Sequence, residues 1–187
     1  MQSTVRLLIE NSIQTKQKIL QDEKILTDIC NVAEEIRTRL MKGGKVLLCG
    51  NGGSASDALH LAAEFVGRFQ KERKSLPAIA LNADMASVTS ISNDYGYENV
   101  FCRAVEGLMT DKDVLIGIST SGNSENVYRA ILAVKEMGGI AVALLGKDGG
   151  KIKEVADYSL IVPSDCTARI QESHIMIGHI ICELVEE

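Results

Sequence analysis

Five short apolar runs, separated by amphipathic stretches, constrain the fold of this 187-residue chain more than any other feature. Each run has four to six residues rich in Val, Ile and Leu, and is apolar on both faces instead of alternating. Strands of this kind are covered by helices on both sides. The runs are residues 45–49, 78–81, 114–118, 140–145 and 158–162.

The stretches between and after these runs have apolar residues at helical spacing. Repeated strand–helix units need right-handed crossovers, which produce a parallel sheet with helices on both faces. The sequence therefore predicts an α/β fold: a three-layer, flavodoxin-like sandwich around a five-stranded parallel sheet. The predicted helices are 54–68, 84–91, 99–108, 124–137, 151–156 and 167–185.

The first 42 residues are also helical in pattern. From Asp22 onward, apolar residues recur every three or four positions until Gly43 and Gly44 end the run. These apolar faces are too long for one small domain to cover, so we expect residues 1–42 to be used in oligomerisation. No linker is evident, and residues 1–187 are predicted to form a single domain with an α/β core at 43–187.

Composition excludes several classes of protein. Lys and Arg number 20 against 25 Asp and Glu, so the chain is acidic and no nucleic-acid surface is expected. No apolar stretch reaches the roughly 18–20 residues that span a bilayer, so no membrane contact is expected. The five cysteines are scattered without a C-x-x-C pair, which suits reduced thiols and a cytoplasmic location.

Two loops follow predicted strands where ligands bind in such sheets. The loop at 49–56 contains three glycines, which let the backbone approach a ligand. Its resemblance to a dinucleotide fingerprint is weak, because the expected acidic residue is missing, and an NAD-dependent dehydrogenase is disfavoured. Residues 119–124 supply four hydroxyls, more than helix capping needs, and we interpret them as a phosphate cradle for a small sugar phosphate.

The candidate chemical groups lie on two helices. His60 and Glu64 are four residues apart in an apolar stretch, so they can meet one metal ion or one substrate. A solvated polar face is the simpler alternative. On the last helix, Gln171 and His179 are about 12 Å apart along the axis, which suggests a site at a subunit interface. His174 is interpreted as a helix-surface residue, or one behind the ligands, not as a ligand.

The strings GNGGS at 50–54, ISTSGNS at 118–124, LLGKDGGK at 144–151 and RIQE at 169–172 together resemble the sugar isomerase (SIS) family. The resemblance covers nearly the whole chain and extends to members that isomerise a seven-carbon ketose phosphate. It implies conversion of sedoheptulose 7-phosphate to D-glycero-D-manno-heptose 7-phosphate through an enediol, the first step towards ADP- or GDP-heptose for lipopolysaccharide or capsule. It also implies a homotetramer, in which the spacing of Gln171 and His179 would place the active sites at subunit interfaces.

The resemblance further implies roles for individual residues. Glu64 is the expected general base and His179 the expected general acid. One zinc ion per subunit is expected, with the ligands His60, Glu64, Gln171 and His179. The expected substrate contacts are Asn51, Gly52, Gly53, Ser54, Glu64, Asn93, Asp94, Ser119, Thr120, Ser121, Ser124 and Gln171.

A non-catalytic function is the main alternative. Some members of this family only bind sugar phosphates, and others are adaptors that associate with a replication initiator. Those relatives lack the acid and base that Glu64 and His179 supply here, so the enzyme is favoured. Arg68 is open between a phosphate contact and an ordinary surface residue.

Overall fold

The five apolar runs form the strands of one sheet in the computed structural model, which describes residues 1–187. The strands are β1 (Val46–Gly50), β2 (Ala78–Ala80), β3 (Val114–Ser119), β4 (Ile140–Gly146) and β5 (Tyr158–Val162). Their order across the sheet is β2-β1-β3-β4-β5, and every neighbouring pair is parallel. The predicted five-stranded parallel sheet is confirmed.

Seven α-helices surround this sheet, and none of them has the length and apolar character to cross a lipid bilayer. They are α1 (Gln2–Leu20), α2 (Glu23–Met41), α3 (Gly53–Val66), α4 (Met85–Tyr95), α5 (Val100–Leu108), α6 (Glu125–Glu136) and α7 (Thr167–Val185). Alternate strand residues point to opposite faces. Consequently Val46 and Leu48 join a core with α2, α3 and α7, whereas Leu47 and Cys49 join a core with α5 and α6.

The helical N-terminal region consists of two helices, because Asp22 caps α2 by accepting hydrogen bonds from the N–H groups of Lys24 and Ile25. Two local predictions differ from the structure. β2 is a short edge strand with Ile79 39% exposed, so it is not buried on both faces. Residues 151–156 contain only a short 3-10 helix, Ile152–Glu154, because the segment between two glycines and β5 is too short for a longer helix.

Helix α1 leaves most of its apolar side chains exposed, and only Thr15 and Ile19 are buried. Four of the exposed residues lie on one side at helical spacing and form what we call the α1 stripe: Val5, Leu8, Ile9 and Ile13. Within one chain, each of these four side chains is at least 50% exposed.

Candidate active site

The strand order reverses between β1 and β3, and the two predicted ligand loops follow these two strands. The glycine-rich loop (residues 50–53) turns tightly into α3. A Cβ on Gly50 would lie 2.6 Å from the carbonyl oxygen of Ser54, and Gly52 has a φ of +57°. Ser54 is buried under the loop, whereas Gly52 and Gly53 are exposed on its surface.

The side chain of Asn51 connects the glycine-rich loop to the start of α6. Its Nδ2 donates to Asn126 Oδ1 at 2.8 Å, and its Oδ1 accepts from Asn126 Nδ2 at 2.9 Å. The hydroxyl of Tyr97 donates to the same Oδ1 at 2.7 Å. Asn126 and Tyr97 were not expected from the sequence. They hold the two ligand loops in a fixed relation to each other.

The serine-rich loop (residues 119–124) presents hydroxyls beside the free end of a helix. Ser119 Oγ and Ser124 Oγ are 2.9 Å apart, and Ser124 makes no capping hydrogen bond to α6. The N–H groups of Glu125 and Asn126 have no partner. Ser121 accepts from the N–H of Asn123 at 3.2 Å, and Thr120 is half-exposed. Helix capping therefore does not account for these hydroxyls, and free donors remain for an anion.

The loop after β4 supports the serine-rich loop from behind. Gly122 has a φ of +67°, and a Cβ on it would lie 2.0 Å from the carbonyl oxygen of Gly149. The N–H of Ile152 donates to the carbonyl oxygen of Gly122 at 3.0 Å. The N–H of Lys151 donates to Asn123 Oδ1 at 3.1 Å. The LLGKDGGK string thus fixes the conformation of the serine-rich loop.

His60, Glu64 and His179 form a cluster between α3 and α7. His60 Nε2 lies 2.9 Å from His179 Nε2 and 3.3 Å from Glu64 Oε1. One potential ligand atom from each residue lies within 4.8 Å of the others. Imidazole nitrogens and carboxylate oxygens are ligands that zinc accepts, and two nitrogens on a tetrahedral zinc are roughly 3.3 Å apart. The donor set therefore fits zinc with a small ring movement.

This cluster lies on an open surface. The side chain of His60 is 50% exposed. Three apolar residues on the same two helices, Leu59, Val66 and Ile180, are also exposed. These exposed apolar side chains are available for contact with another molecule.

Gln171 does not join this cluster within one chain. It packs against the glycine-rich loop, where a Cβ on Gly53 would lie 2.5 Å from its Nε2. Its separation from His179 along α7 is about 12 Å. Asn93 and Asp94 are exposed on α4 and bond to each other, with 2.8 Å between Asn93 Nδ2 and Asp94 Oδ1. Within one chain, the expected site is therefore split among the histidine cluster, Gln171 beside the glycine-rich loop, and the Asn93–Asp94 pair on α4.

Four further residues near the site needed the structure to be placed. His174 is buried, not on the helix surface, because its Nε2 lies 2.8 Å from the carbonyl oxygen of Leu145, and burial lowers its pKa to about 4. Arg68 is exposed beside Glu72. Asp57, one turn before His60, has a carboxylate oxygen buried without a partner, and burial raises its pKa. Phe69 stacks on His179.

The fold and the two loops define a class: parallel α/β proteins that bind small phosphorylated ligands where the strand order reverses. The model of the SIS domain family matches residues 9–146. The chain belongs to the SIS domain family, and the resemblance drawn from its sequence is confirmed.

Relatives of known name match the chain over most or all of its length. The phosphoheptose isomerase of Clostridium acetobutylicum is 51% identical, covering 100% of this chain and 95% of that protein. That of a Nitratiruptor species is 63% identical over 143 residues, 76% of each chain. The structure of phosphoheptose isomerase from Neisseria gonorrhoeae has a TM-score of 0.93 at 42% identity, covering 99% of this chain and 98% of that one.

Proposed function

We infer that this protein is an aldose–ketose isomerase that converts sedoheptulose 7-phosphate to D-glycero-D-manno-heptose 7-phosphate in heptose biosynthesis. The observation that carries the inference is 51% identity to a phosphoheptose isomerase along the full chain. The free donors of the serine-rich loop and the acid–base groups of the histidine cluster agree with this reaction.

The proposed chemistry moves one proton between C1 and C2 and another between their oxygens. Glu64 takes the C1 proton of the ketose while the His179 imidazole donates a proton to O2 from Nδ1, the ring nitrogen that does not face His60, which gives the enediol. His179 then removes the O1 proton as Glu64 returns a proton to C2. The serine-rich loop holds the phosphate, and this remote binding keeps both carbons in place.

We propose one zinc ion per subunit, held by His60, Glu64, His179 and Gln171. The chemistry supplied by a bound zinc ion is polarisation of the substrate carbonyl oxygen. Glu64 can act both as a metal ligand and as the general base. One of its carboxylate oxygens faces His60 at 3.3 Å, and no other group forms a hydrogen bond with the carboxylate.

A homotetramer that shares its active sites between copies is part of the same proposal. The α1 stripe and the apolar residues beside the cluster supply surface for a second copy of the chain. The distance between Gln171 and His179 supports ligands from different copies. We also place the protein in the cytoplasm, because all five cysteines are unpaired.

Subunit mixing tests the shared site. Gln171→Ala and His179→Gln should each be inactive, whereas oligomers reassembled from both variants should regain part of the activity. Their mixed sites can combine Gln171 from one copy with His179 from another. A mixture of His60→Gln and His179→Gln is the matched control, because these residues meet within one chain and no recovery is expected. Absence of recovery in the first mixture would contradict the shared site.

Proton NMR in D₂O tests the reaction itself. Sedoheptulose 7-phosphate should yield aldose anomeric signals with deuterium at C2, and a chelator should abolish them if the metal is catalytic. Broadened substrate lines without any aldose would contradict the isomerase and favour a sugar-phosphate-binding or adaptor function.

A further inference from the structure

The loop between α3 and β2, residues 67–77, reaches over the histidine cluster. Its Phe69 ring stacks on the His179 imidazole, with centroids 5.2 Å apart and planes at 26°. The His179 ring in turn meets the His60 ring edge-on, with centroids 5.1 Å apart. Phe69 therefore covers one face of His179 and leaves its Nε2 directed at His60.

A single carboxylate holds this loop in place. Glu186, just after α7, accepts hydrogen bonds from the N–H groups of Phe69 at 2.8 Å and of Gln70 and Lys71 at 2.9 Å. Arg73 Nε donates to it at 2.8 Å. Its side chain is only 1% exposed. Burial opposes the ionised carboxylate, but these four hydrogen bonds lower the Glu186 pKa to about 2.

Arg73 extends the same network to the helix that carries His60 and Glu64. Its guanidinium donates to the carbonyl oxygens of Glu64 and Phe65, each at 2.9 Å. These are carbonyls of the last turn of α3, which otherwise lack helical partners. The Glu186–Arg73 pair thus connects the ends of α3 and α7 to the loop that carries Phe69.

We propose that Phe69 is a positioning residue for His179, and that the Glu186–Arg73 pair holds Phe69 against it. The imidazole plane is fixed by stacking on one side, so that its Nε2 meets His60 and Glu64 without searching other ring orientations. The inference rests on the proposed function, since it assigns these residues a role in preparing the same metal and acid–base cluster.

Cobalt titration of metal-free protein, read by visible absorption, tests the inference without depending on turnover. Phe69→Leu should keep the fold but bind Co²⁺ about 10–100-fold more weakly, the loss typical of residues that orient metal ligands. Phe69→Tyr should restore wild-type affinity, because it keeps the stacking ring. In the isomerase assay, Phe69→Leu should lower kcat with little change in KM.

Tyr158→Leu is the matched control, an aromatic-to-leucine change on β5 that should leave cobalt affinity unchanged. Wild-type affinity and spectrum in Phe69→Leu would overturn the inference, as would an equal loss in Tyr158→Leu or a wild-type protein that binds no cobalt. Glu186→Gln should reproduce the weaker binding if it folds. Wild-type protein that binds cobalt but does not isomerise the heptulose phosphate would reject the proposed function, while the cobalt comparison still decides the role of Phe69.

Discussion

His60 and His179 are separated by 119 residues in the sequence, yet their Nε2 atoms lie 2.9 Å apart. At this distance the two nitrogens can form one hydrogen bond, in which one carries a proton and the other accepts it. Both cannot be protonated, because their two hydrogen atoms would clash. The alternative is that both lone pairs face one cation, with the Glu64 carboxylate beside it. Two uncharged imidazoles and one carboxylate make a preformed receptor for a divalent metal.

Replacing His60 should therefore weaken metal binding. We expect His60→Gln to lower zinc affinity by more than about 100-fold, since a ligand should matter more than the residues that orient it. Competition with a chromogenic chelator measures the affinity. Glu136→Gln, an exposed change at the end of α6, is the control and should bind zinc normally. Normal affinity in His60→Gln would contradict the metal site.

Glu64 should matter for turnover more than for binding. We expect Glu64→Gln to lower kcat by about 10²–10⁴-fold, the usual contribution of a general base, with KM changed only a few-fold. Because Glu64 is also a proposed ligand, the zinc content of the variant must be measured beside its rate. Equal losses in kcat and in substrate binding would make its role structural.

Ser124 should contribute to phosphate binding. Its hydroxyl caps no backbone group and lies 2.9 Å from Ser119 Oγ at the free end of α6. A hydrogen bond to a charged group contributes about 1.5–3 kcal/mol, so we expect Ser124→Ala to raise KM by about 10-fold or more. Ser90→Ala removes an exposed hydroxyl that bonds only within α4, and it should leave KM unchanged. An unchanged KM in Ser124→Ala would contradict the phosphate cradle.

Gly122 and Gly43 form a matched pair for testing the support behind the serine-rich loop. Both have positive φ, but a Cβ on Gly122 would lie 2.0 Å from the Gly149 carbonyl oxygen, whereas a Cβ on Gly43 meets nothing within 4 Å. We expect Gly43→Ala to lower the free energy of unfolding by about 1 kcal/mol through its backbone conformation alone. Gly122→Ala should lower the free energy of unfolding by more than Gly43→Ala does, and it should also raise KM. Equal losses of stability in the two variants, with KM unchanged, would contradict the close contact at Gly122.

The sheet was predictable because burial on both faces leaves a direct compositional signal. The residues of β1, β3 and β4 are nearly all buried, and their apolar runs have no polar alternation. The axial distance between Gln171 and His179 could also be calculated from the sequence, because each residue of an α-helix adds the same rise along the axis. The exposure of edge strand β2 was not predictable from its residues, because it depends on which other elements cover the strand in the folded chain.

The family resemblance brought His60 and His179 together as ligands of one zinc ion, but the residue spacing alone did not predict their contact, because it depends on how closely α3 and α7 pack. A Cβ on Gly178 would lie 2.6 Å from the Leu61 Cδ atoms, so glycine permits this approach. Within the residue pattern itself, the glycine next to His179 in the helix was the only signal of this close approach. The role of Phe69 had no signal at all, since the loop around it has no periodicity.

The stability of the fold should depend on Glu186 in a pH-dependent way. Its pKa falls from an ordinary 4.5 to about 2 in the folded protein, so its ionised form stabilises the fold. A lowered carboxyl pKa contributes its full stability above the unfolded value and loses it as the pH falls from about 4.5 to about 2. Allowing for solvent screening, we expect Glu186→Gln to lower the free energy of unfolding by about 2 kcal/mol at pH 7.

Urea denaturation of both proteins at pH 7 and at pH 3.5 measures this dependence. The difference between wild type and Glu186→Gln should shrink at the lower pH, because the unfolded wild-type chain takes up a proton on this carboxyl group below about pH 4.5 whereas the folded protein keeps it ionised. Glu183→Gln, an exposed change on the same helix, should show little difference at either pH. A Glu186→Gln difference of the same size at both values would mean that packing and neutral hydrogen bonds hold the Phe69 loop, not the buried charge.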